Sequence, residues 1–275
     1  MIAKAILRRI LTLVGTLLLV YLAIIVGVVL FQRNLLYFPT RASFEELVPL
    51  GRRAGLEPWM LKDRRAVGWR RAAPHNPALG TVLVVHGNGG NAIHRAVYAD
   101  TLQRAANVDV CVLEYPGYGF RDGKSSESTF CAAADEAVLS MDPGTRIFVV
   151  GESLGTGVAC YLAGVYSNRI AGLLLVAPFD RLTNIAQEHY PWLPAQWILR
   201  DRFDSITHLA SYHGRIAVWV AGNDVVVPAR FGRRLYDSFK GPKLFREAPG
   251  AGHEDVFQEP GEWWKQVADF WMVME

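Results

Sequence analysis

Residues 147–163 constrain the fold of this chain more than any other segment. A short apolar run at 147–150 leads into Gly151-Glu152-Ser153-Leu154-Gly155, and a run of small residues follows. This order predicts a buried strand, a sharp turn and a helix. Glycines on both sides of Ser153 remove Cβ atoms that would collide with a neighbouring strand and helix. Because roughly 8% of chains of this composition contain such a pentapeptide by chance, its meaning depends on other segments.

Two further polar residues follow later predicted strands. Asp224 lies in a Gly-x-Asp loop, and His253 follows the last predicted strand. Ser153, Asp224 and His253 therefore stand in the chain order of a hydrolytic triad. In that interpretation Ser153 is the nucleophile, His253 is the base that takes its proton, and Asp224 orients the imidazole. Asp180, after the preceding strand, is the alternative acid, whereas Asp204 is interpreted as structural.

A glycine-rich loop follows the buried-type strand at 81–85. It reads His86-Gly87-Asn88-Gly89-Gly90-Asn91, and its glycines leave backbone N–H groups free to point at a developing oxyanion. With this loop the chain resembles the α/β-hydrolase superfamily, and within it the membrane-anchored, serine aminopeptidase-like branch that carries His-Gly-Asn-x-Gly-Asn. The segments that carry the resemblance are 31–39, 86–91, 115–119, 151–155, 201–205, 222–224 and 252–253.

The oxyanion hole and the pocket are expected around this loop. The backbone N–H of Leu154, which follows the nucleophile, is one expected oxyanion donor. The family resemblance implies that the N–H of Asn88 is the second. His86 is interpreted as bracing the loop, and residues 115–119 either line the pocket or form a simple Pro-Gly turn. The pocket candidates are His86, Gly87, Tyr115 and Tyr118.

Strands and helices alternate regularly after residue 66. This alternation predicts an α/β fold with a mainly parallel sheet and helices on both faces. Residues 35–62, interrupted by three prolines, are expected to be a connecting region. The expected strands are 66–71, 81–85, 109–114, 146–150, 170–176, 215–221 and 243–248. The expected helices are 93–106, 127–141, 154–167, 228–239 and 260–273.

One connection is much longer than the others. The strands at 170–176 and 215–221 are separated by far more residues than a crossover requires. Since α/β-hydrolases insert a lid at this place, a lid is expected at about 178–214. The apolar and aromatic residues around 190–199 are consistent with two interpretations, which do not exclude each other. They either form helices packed on the core or cover an acyl-binding pocket.

Residues 10–31 contain no charge, and as a helix they would extend about 33 Å, enough to cross a bilayer core. A cleaved signal peptide is the alternative, but its apolar region would be shorter and a small-x-small cleavage site would follow. We expect an N-terminal tail and transmembrane anchor at 1–34 and an α/β-hydrolase domain at 35–275. The basic tail favours a cytoplasmic N-terminus and an extracytoplasmic domain, a preference that Arg33 and Arg41 weaken.

Charge and cysteine content restrict the partners. The net charge is +3, but residues 1–65 carry ten Lys and Arg against four Asp and Glu, which leaves −3 on the remainder. Basic residues beside an apolar span typically contact anionic head groups, so the lipid bilayer is the expected partner through residues 10–31. Nothing resembles a nucleic-acid patch, no cofactor or metal is expected, and the oligomeric state stays open. The cysteines interpreted as buried, inert thiols are Cys111, Cys131 and Cys160.

These features leave competing functions. The leading hypothesis is a membrane-tethered serine hydrolase that cleaves carboxylic esters or thioesters of lipid-like or acylated substrates through an acyl-enzyme. A peptidase or amidase of the same fold is the second, although no acidic cluster for a substrate amino group stands out. The third is a catalytically silent membrane-bound binding protein, which the intact Ser153, Asp224 and His253 disfavour.

Overall fold

A computed structural model describes residues 2–273 of the chain. Its first element is helix α1 (Ile2–Leu36), which one residue separates from a short strand, β1 (Phe38–Pro39). Side chains as far as Ile24 are exposed, whereas from Ile25 onward one face of the helix is partly covered by the rest of the protein. By length and composition α1 is able to cross a membrane.

Ten strands lie between residues 2 and 273. They are β1, β2 (Glu57–Met60), β3 (Ala66–Arg71), β4 (Thr81–Val85), β5 (Gly89–Gly90), β6 (Asp109–Leu113), β7 (Ile147–Glu152), β8 (Ile170–Val176), β9 (Arg215–Ala221) and β10 (Lys243–Ala248). Strands β1 and β5 form a small parallel pair, and the other eight form one sheet in the order β10-β9-β8-β7-β4-β6-β3-β2. Within it β3 runs against its neighbours β6 and β2, and the remaining pairings are parallel. The mainly parallel sheet expected from the sequence is confirmed.

Helices cover both faces of this sheet. They are α2 (Phe44–Arg53), α3 (Ala96–Ala105), α4 (Glu127–Ser140), α5 (Gly155–Val165), α6 (Leu182–His189), α7 (Ala195–Ile198), α8 (Ser205–Leu209), α9 (Ala229–Ser238) and α10 (Gly261–Met272). Leu83 and Val85 of β4 pack toward the layer of α4, α5 and α9, whereas Val82 and Val84 pack toward α2, α3 and α10. Because both faces are covered, the central strands are apolar at successive positions.

The region expected to be a connection contains three elements that the sequence interpretation missed, namely β1, α2 and β2. Helix α2 begins with a capping box, in which Ser43 Oγ accepts the Glu46 N–H at 3.2 Å and Glu46 Oε2 accepts the Ser43 N–H at 2.8 Å. This Ser-x-x-Glu pattern is visible in the sequence and marks a helix start. Pro49 lies inside α2 and obscured it, because proline usually ends a helix.

The long connection between β8 and β9 contains α6, α7 and α8, and α1 packs beside it. The hydroxyl of Tyr21 donates to the Trp192 carbonyl oxygen at 2.9 Å. One turn before the end of α1, Gln32 Nε2 donates to the Ile198 carbonyl oxygen at 3.2 Å, and Gln32 Oε1 accepts the Arg200 N–H at 2.8 Å. The last turns of α1 are therefore docked on the lid segment, which we define as residues 178–214.

Candidate active site

The turn between β7 and α5 carries Ser153. Its φ of +51° lies in the left-handed region, which residues with a side chain rarely adopt. The flanking glycines are required by close contacts. A Cβ on Gly155 would overlap the Val85 carbonyl oxygen in β4, and one on Gly151 would lie 2.8 Å from the Ala159 Cβ in α5. The strained turn therefore depends on the tight packing of strand, turn and helix that the sequence predicted.

His253 lies between Ser153 and Asp224. Its Nε2 is 2.9 Å from Ser153 Oγ, and its Nδ1 is 2.6 Å from Asp224 Oδ2. With the proton on Nδ1 and donated to the carboxylate, Nε2 keeps the lone pair that accepts the serine proton. Ser153 follows β7, Asp224 follows β9 and His253 follows β10. The carboxyl ends of these parallel strands meet at one edge of the sheet, which brings together residues that are far apart in sequence.

Two backbone donors fix the carboxylate of Asp224. Its Oδ1 accepts the N–H groups of Val226 at 2.8 Å and Val227 at 2.7 Å, and its side chain is fully buried. Such bonds to an ionised carboxylate are stronger than those between neutral groups. They leave Oδ2 aimed at His253, which is the geometry that an orienting acid requires.

The other two aspartates have structural partners. Asp180, the alternative acid, is buried and accepts from the Arg234 guanidinium and from Asn184 Nδ2, both at 2.8 Å. Asp204 accepts the Thr207 N–H at 3.1 Å as the N-cap of α8, and it also accepts from the Arg181 guanidinium. The hydrogen bonds of Asp204 therefore lie within the lid segment, and those of Asp180 also join this segment to α9.

Leu154 and Asn88 supply backbone N–H groups near the nucleophile. Leu154 is the N-cap of α5, where a helix has unpaired N–H groups. Asn88 follows Gly87, on which a Cβ would lie 3.4 Å from the Ser153 Cβ. Over residues 2–273, neither N–H donates to a protein acceptor. Both are therefore available to an oxyanion that forms at Ser153.

Three of the four pocket candidates lie beneath the loop rather than in the cleft. His86, Tyr115 and Tyr118 are fully buried, with the His86 ring 4.3 Å and 5.2 Å from the two tyrosine rings between centroids. The Tyr118 hydroxyl donates to the Asn88 carbonyl oxygen at 2.7 Å. These contacts agree with the interpretation that His86 braces the loop, whereas the expectation that the three residues line the pocket stays a prediction. Gly87 does border the cleft.

A polar cleft of about 320 Å³ opens beside Ser153, and its wall includes an ion pair that sequence reasoning missed. Arg95 binds Glu152 through Nε at 3.0 Å and through its terminal nitrogen at 2.6 Å, and each side chain is 15% exposed. His94 and Glu254 also line the cleft. Burial, and then the charge of Arg95, lower the pKa of His94 below its ordinary value. The cleft therefore presents fixed charges of both signs next to the nucleophile.

The three cysteines are free thiols, buried in strand β6 and helices α4 and α5. Burial raises the pKa of each thiol to about 12. A neutral thiol is a poor nucleophile, because the thiolate is the reactive form. Ser153 is therefore the nucleophile that this arrangement favours.

The fold and the geometry at Ser153 define the class of protein. A family model described as the alpha/beta hydrolase fold matches residues 80–211. An uncharacterized protein of Mycobacterium tuberculosis is 35% identical over 242 residues, which covers 83% of this chain and 84% of that protein. The chain therefore belongs to the α/β-hydrolase family, and the resemblance identified from its motifs is confirmed.

Further similarities agree with this membership. The lysophosphatidylserine lipase ABHD12 of Danio rerio is 28% identical over 212 residues, which covers 65% of this chain and 55% of that protein. The solved structure of the esterase Pf2001 of Pyrococcus furiosus has a TM-score of 0.61 and 16% identity, and covers 86% of this chain and 96% of that chain. At this identity the structural similarity shows the fold alone.

Proposed function

We propose that this protein is a membrane-tethered serine hydrolase that cleaves carboxylic esters or thioesters. The observation that carries the proposal is the hydrogen-bonded series Ser153–His253–Asp224 at a strained turn. Ser153 Oγ attacks the acyl carbonyl while His253 Nε2 takes its proton, and the N–H groups of Leu154 and Asn88 stabilise the oxyanion. His253 then protonates the leaving group, and an acyl-enzyme remains. Water, activated by the same imidazole, releases the acid and restores Ser153.

The surroundings of α1 favour a lipid-like substrate. The lid segment that packs beside α1 exposes three aromatic side chains: Tyr190 at 53%, Trp192 at 51% and Trp197 at 83%. Tyrosine and tryptophan are enriched where proteins meet the membrane interface. Tyr21, inside the apolar run of α1, donates to the backbone of Trp192. A lid held beside the anchor would meet an acyl chain as it leaves the bilayer.

The anchor and its orientation belong to the same proposal. Residues 10–31 would form the membrane anchor, and since Tyr21 contacts the lid segment at Trp192, the lid would reach into the apolar layer beside them. The three basic residues before them would keep the N-terminus cytoplasmic. The catalytic domain, residues 35–275 with the lid at about 178–214, would then be extracytoplasmic. The name of the relative ABHD12 specifies a lysophospholipid as the substrate of that protein, and such an ester is of the class proposed here.

The test uses the full-length protein in detergent micelles. A fluorophosphonate probe should label the wild type and not the Ser153→Ala variant. A panel of p-nitrophenyl esters of rising chain length, an acyl thioester and an aminoacyl anilide then separates the substrate classes. Equal labelling of the alanine variant would refute the nucleophile. Turnover of the anilide in preference to every ester would favour a peptidase instead.

A further inference from the structure

The oxyanion loop, residues 86–91, is held by the segment that leaves α1. Strand β1 pairs with β5 in parallel, with Phe38 opposite Gly89 and Pro39 opposite Gly90. The Phe38 N–H donates to the Asn88 carbonyl oxygen at 2.9 Å, and the Thr40 N–H donates to the Gly90 carbonyl oxygen at 2.8 Å. The loop is therefore fixed by a strand that is not part of the central sheet.

Asn88 takes part in most of the hydrogen bonds that hold the loop. Its side-chain Nδ2 donates to the carbonyl oxygen of Leu36, the last residue of α1, at 2.9 Å. Its own carbonyl oxygen accepts from both the Phe38 N–H and the Tyr118 hydroxyl. Since a helix C-terminus leaves carbonyl groups without partners, the end of α1 is a natural acceptor for this amide. Bonds to the side chain and to the following peptide restrict the backbone of Asn88, and with it the direction of its N–H.

The end of α1 is itself clamped to the domain. Arg33 forms two hydrogen bonds of 3.0 Å with the carboxylate of Asp201, which is buried. The hydroxyl of Tyr37 donates to the same carboxylate at 2.9 Å. Paired bonds between a guanidinium and a carboxylate fix direction as well as distance. Because Tyr37 directly precedes Phe38, this clamp sets where β1 begins.

We propose that Leu36, Phe38 and Thr40 are positioning residues of the oxyanion hole, so that docking of the anchor helix sets the catalytic rate. They act through backbone groups on the loop that carries Asn88, and they touch no reacting atom. The inference rests on the proposed serine hydrolase function. Loss of one oxyanion donor typically costs about 10²–10³ in kcat, so a displaced donor should have a large effect.

A matched pair of full-length variants separates the backbone bond from the side chain. Phe38→Pro removes the N–H that donates to Asn88, whereas Phe38→Ala keeps it and trims a side chain that is 57% exposed. In micelles with a short soluble ester, Phe38→Pro should lower kcat by about 10-fold or more with little change in KM. Its rate of labelling by the fluorophosphonate probe should fall in parallel. Phe38→Ala should retain most of both rates.

Tyr118→Phe tests the same loop from the other side. It removes the second donor to the Asn88 carbonyl and preserves the ring, so kcat should fall by a smaller factor in the same direction. If Phe38→Pro does not fold, as judged by its thermal unfolding, this variant decides. If Phe38→Pro folds and has the same kcat as Phe38→Ala, the positioning role is wrong but the proposed function is not affected. The same conclusion follows if Phe38→Pro does not fold and Tyr118→Phe keeps the wild-type kcat. A wild type that neither hydrolyses esters nor reacts with the probe overturns the proposed function and this inference with it.

Discussion

The triad and the oxyanion loop meet at Ser153, yet different parts of the molecule place them. Ser153, Asp224 and His253 each follow a strand of one eight-stranded sheet, so the buried core determines their separation. Asn88 also follows a core strand, but its loop is held by β1 and by the end of α1. One half of this site therefore depends on the sheet, and the other half depends on the connection to the N-terminal helix.

The largest expected effect is on the sheet-supported half of the site, which consists of Ser153, Asp224 and His253. Ser153→Ala should reduce kcat by a factor on the order of 10⁶, because a triad acts as a unit. Steady-state ester hydrolysis measures the loss, and circular dichroism should show an unchanged fold. Hydrolysis within tenfold of the wild-type rate would show that another group is the nucleophile.

Asp224→Asn should reduce kcat by a factor on the order of 10⁴, because the amide favours the wrong imidazole tautomer. The matched control is Asp180→Asn, which alters a buried carboxylate bonded to Arg234 rather than to His253. That control should affect thermal stability more than kcat. A greater loss of kcat in Asp180→Asn than in Asp224→Asn would move the acid to the neighbouring strand.

Gly155→Ala tests how the sheet supports the turn. The added Cβ would meet backbone atoms of β4, and overpacking of this kind typically costs about 1–3 kcal/mol of the free energy of unfolding. Gly144→Ala is the control, because no atom lies within 4 Å of its Cβ position. Thermal unfolding of both variants gives the comparison. Equal midpoints of thermal unfolding would show that the turn tolerates a side chain at this position.

The smallest expected effect concerns the thiols. Each cysteine is buried with a pKa raised to about 12, so at pH 7.5 the reactive thiolate is scarce. Treatment of the folded protein with N-ethylmaleimide should leave ester hydrolysis at the wild-type rate. Rapid inactivation, with modification of Cys160 located by mass spectrometry, would place a reactive thiol behind the turn that carries Ser153.

The sheet-supported half of the site was accessible from the sequence. Strand, turn and helix around Ser153 differ in periodicity, Asp224 follows the apolar strand at 215–221, and His253 follows the partly buried strand at 243–248. Parallel pairing then places these strand ends at one edge. Their assignment as catalytic groups stays a prediction until the variants are measured.

The oxyanion loop and Asn88 were also accessible from the sequence, but the contacts that hold this loop were not, for two physical reasons. The pairing of β1 with β5 joins Phe38-Pro39 to Gly89-Gly90, and two-residue strands have no periodicity to detect. The side of the oxyanion loop that each residue faces is set by tertiary packing, so the sequence does not show that His86, Tyr115 and Tyr118 are buried beneath the loop. The partnership of Arg95 with Glu152 likewise joins segments that no local motif connects.

Helix α1 runs without a break from Ile2 to Leu36, and one residue later the chain enters β1. A flexible linker would let a tethered domain change its orientation and its distance from the membrane freely. If α1 lies in a bilayer, a helix that ends in a clamp would instead fix both the height and the rotation of the cleft relative to the membrane. With α1 inserted, the protein would find its substrates by lateral diffusion in two dimensions. Molecules in the adjoining leaflet would then be preferred over the same molecules in micelles or in a neighbouring vesicle.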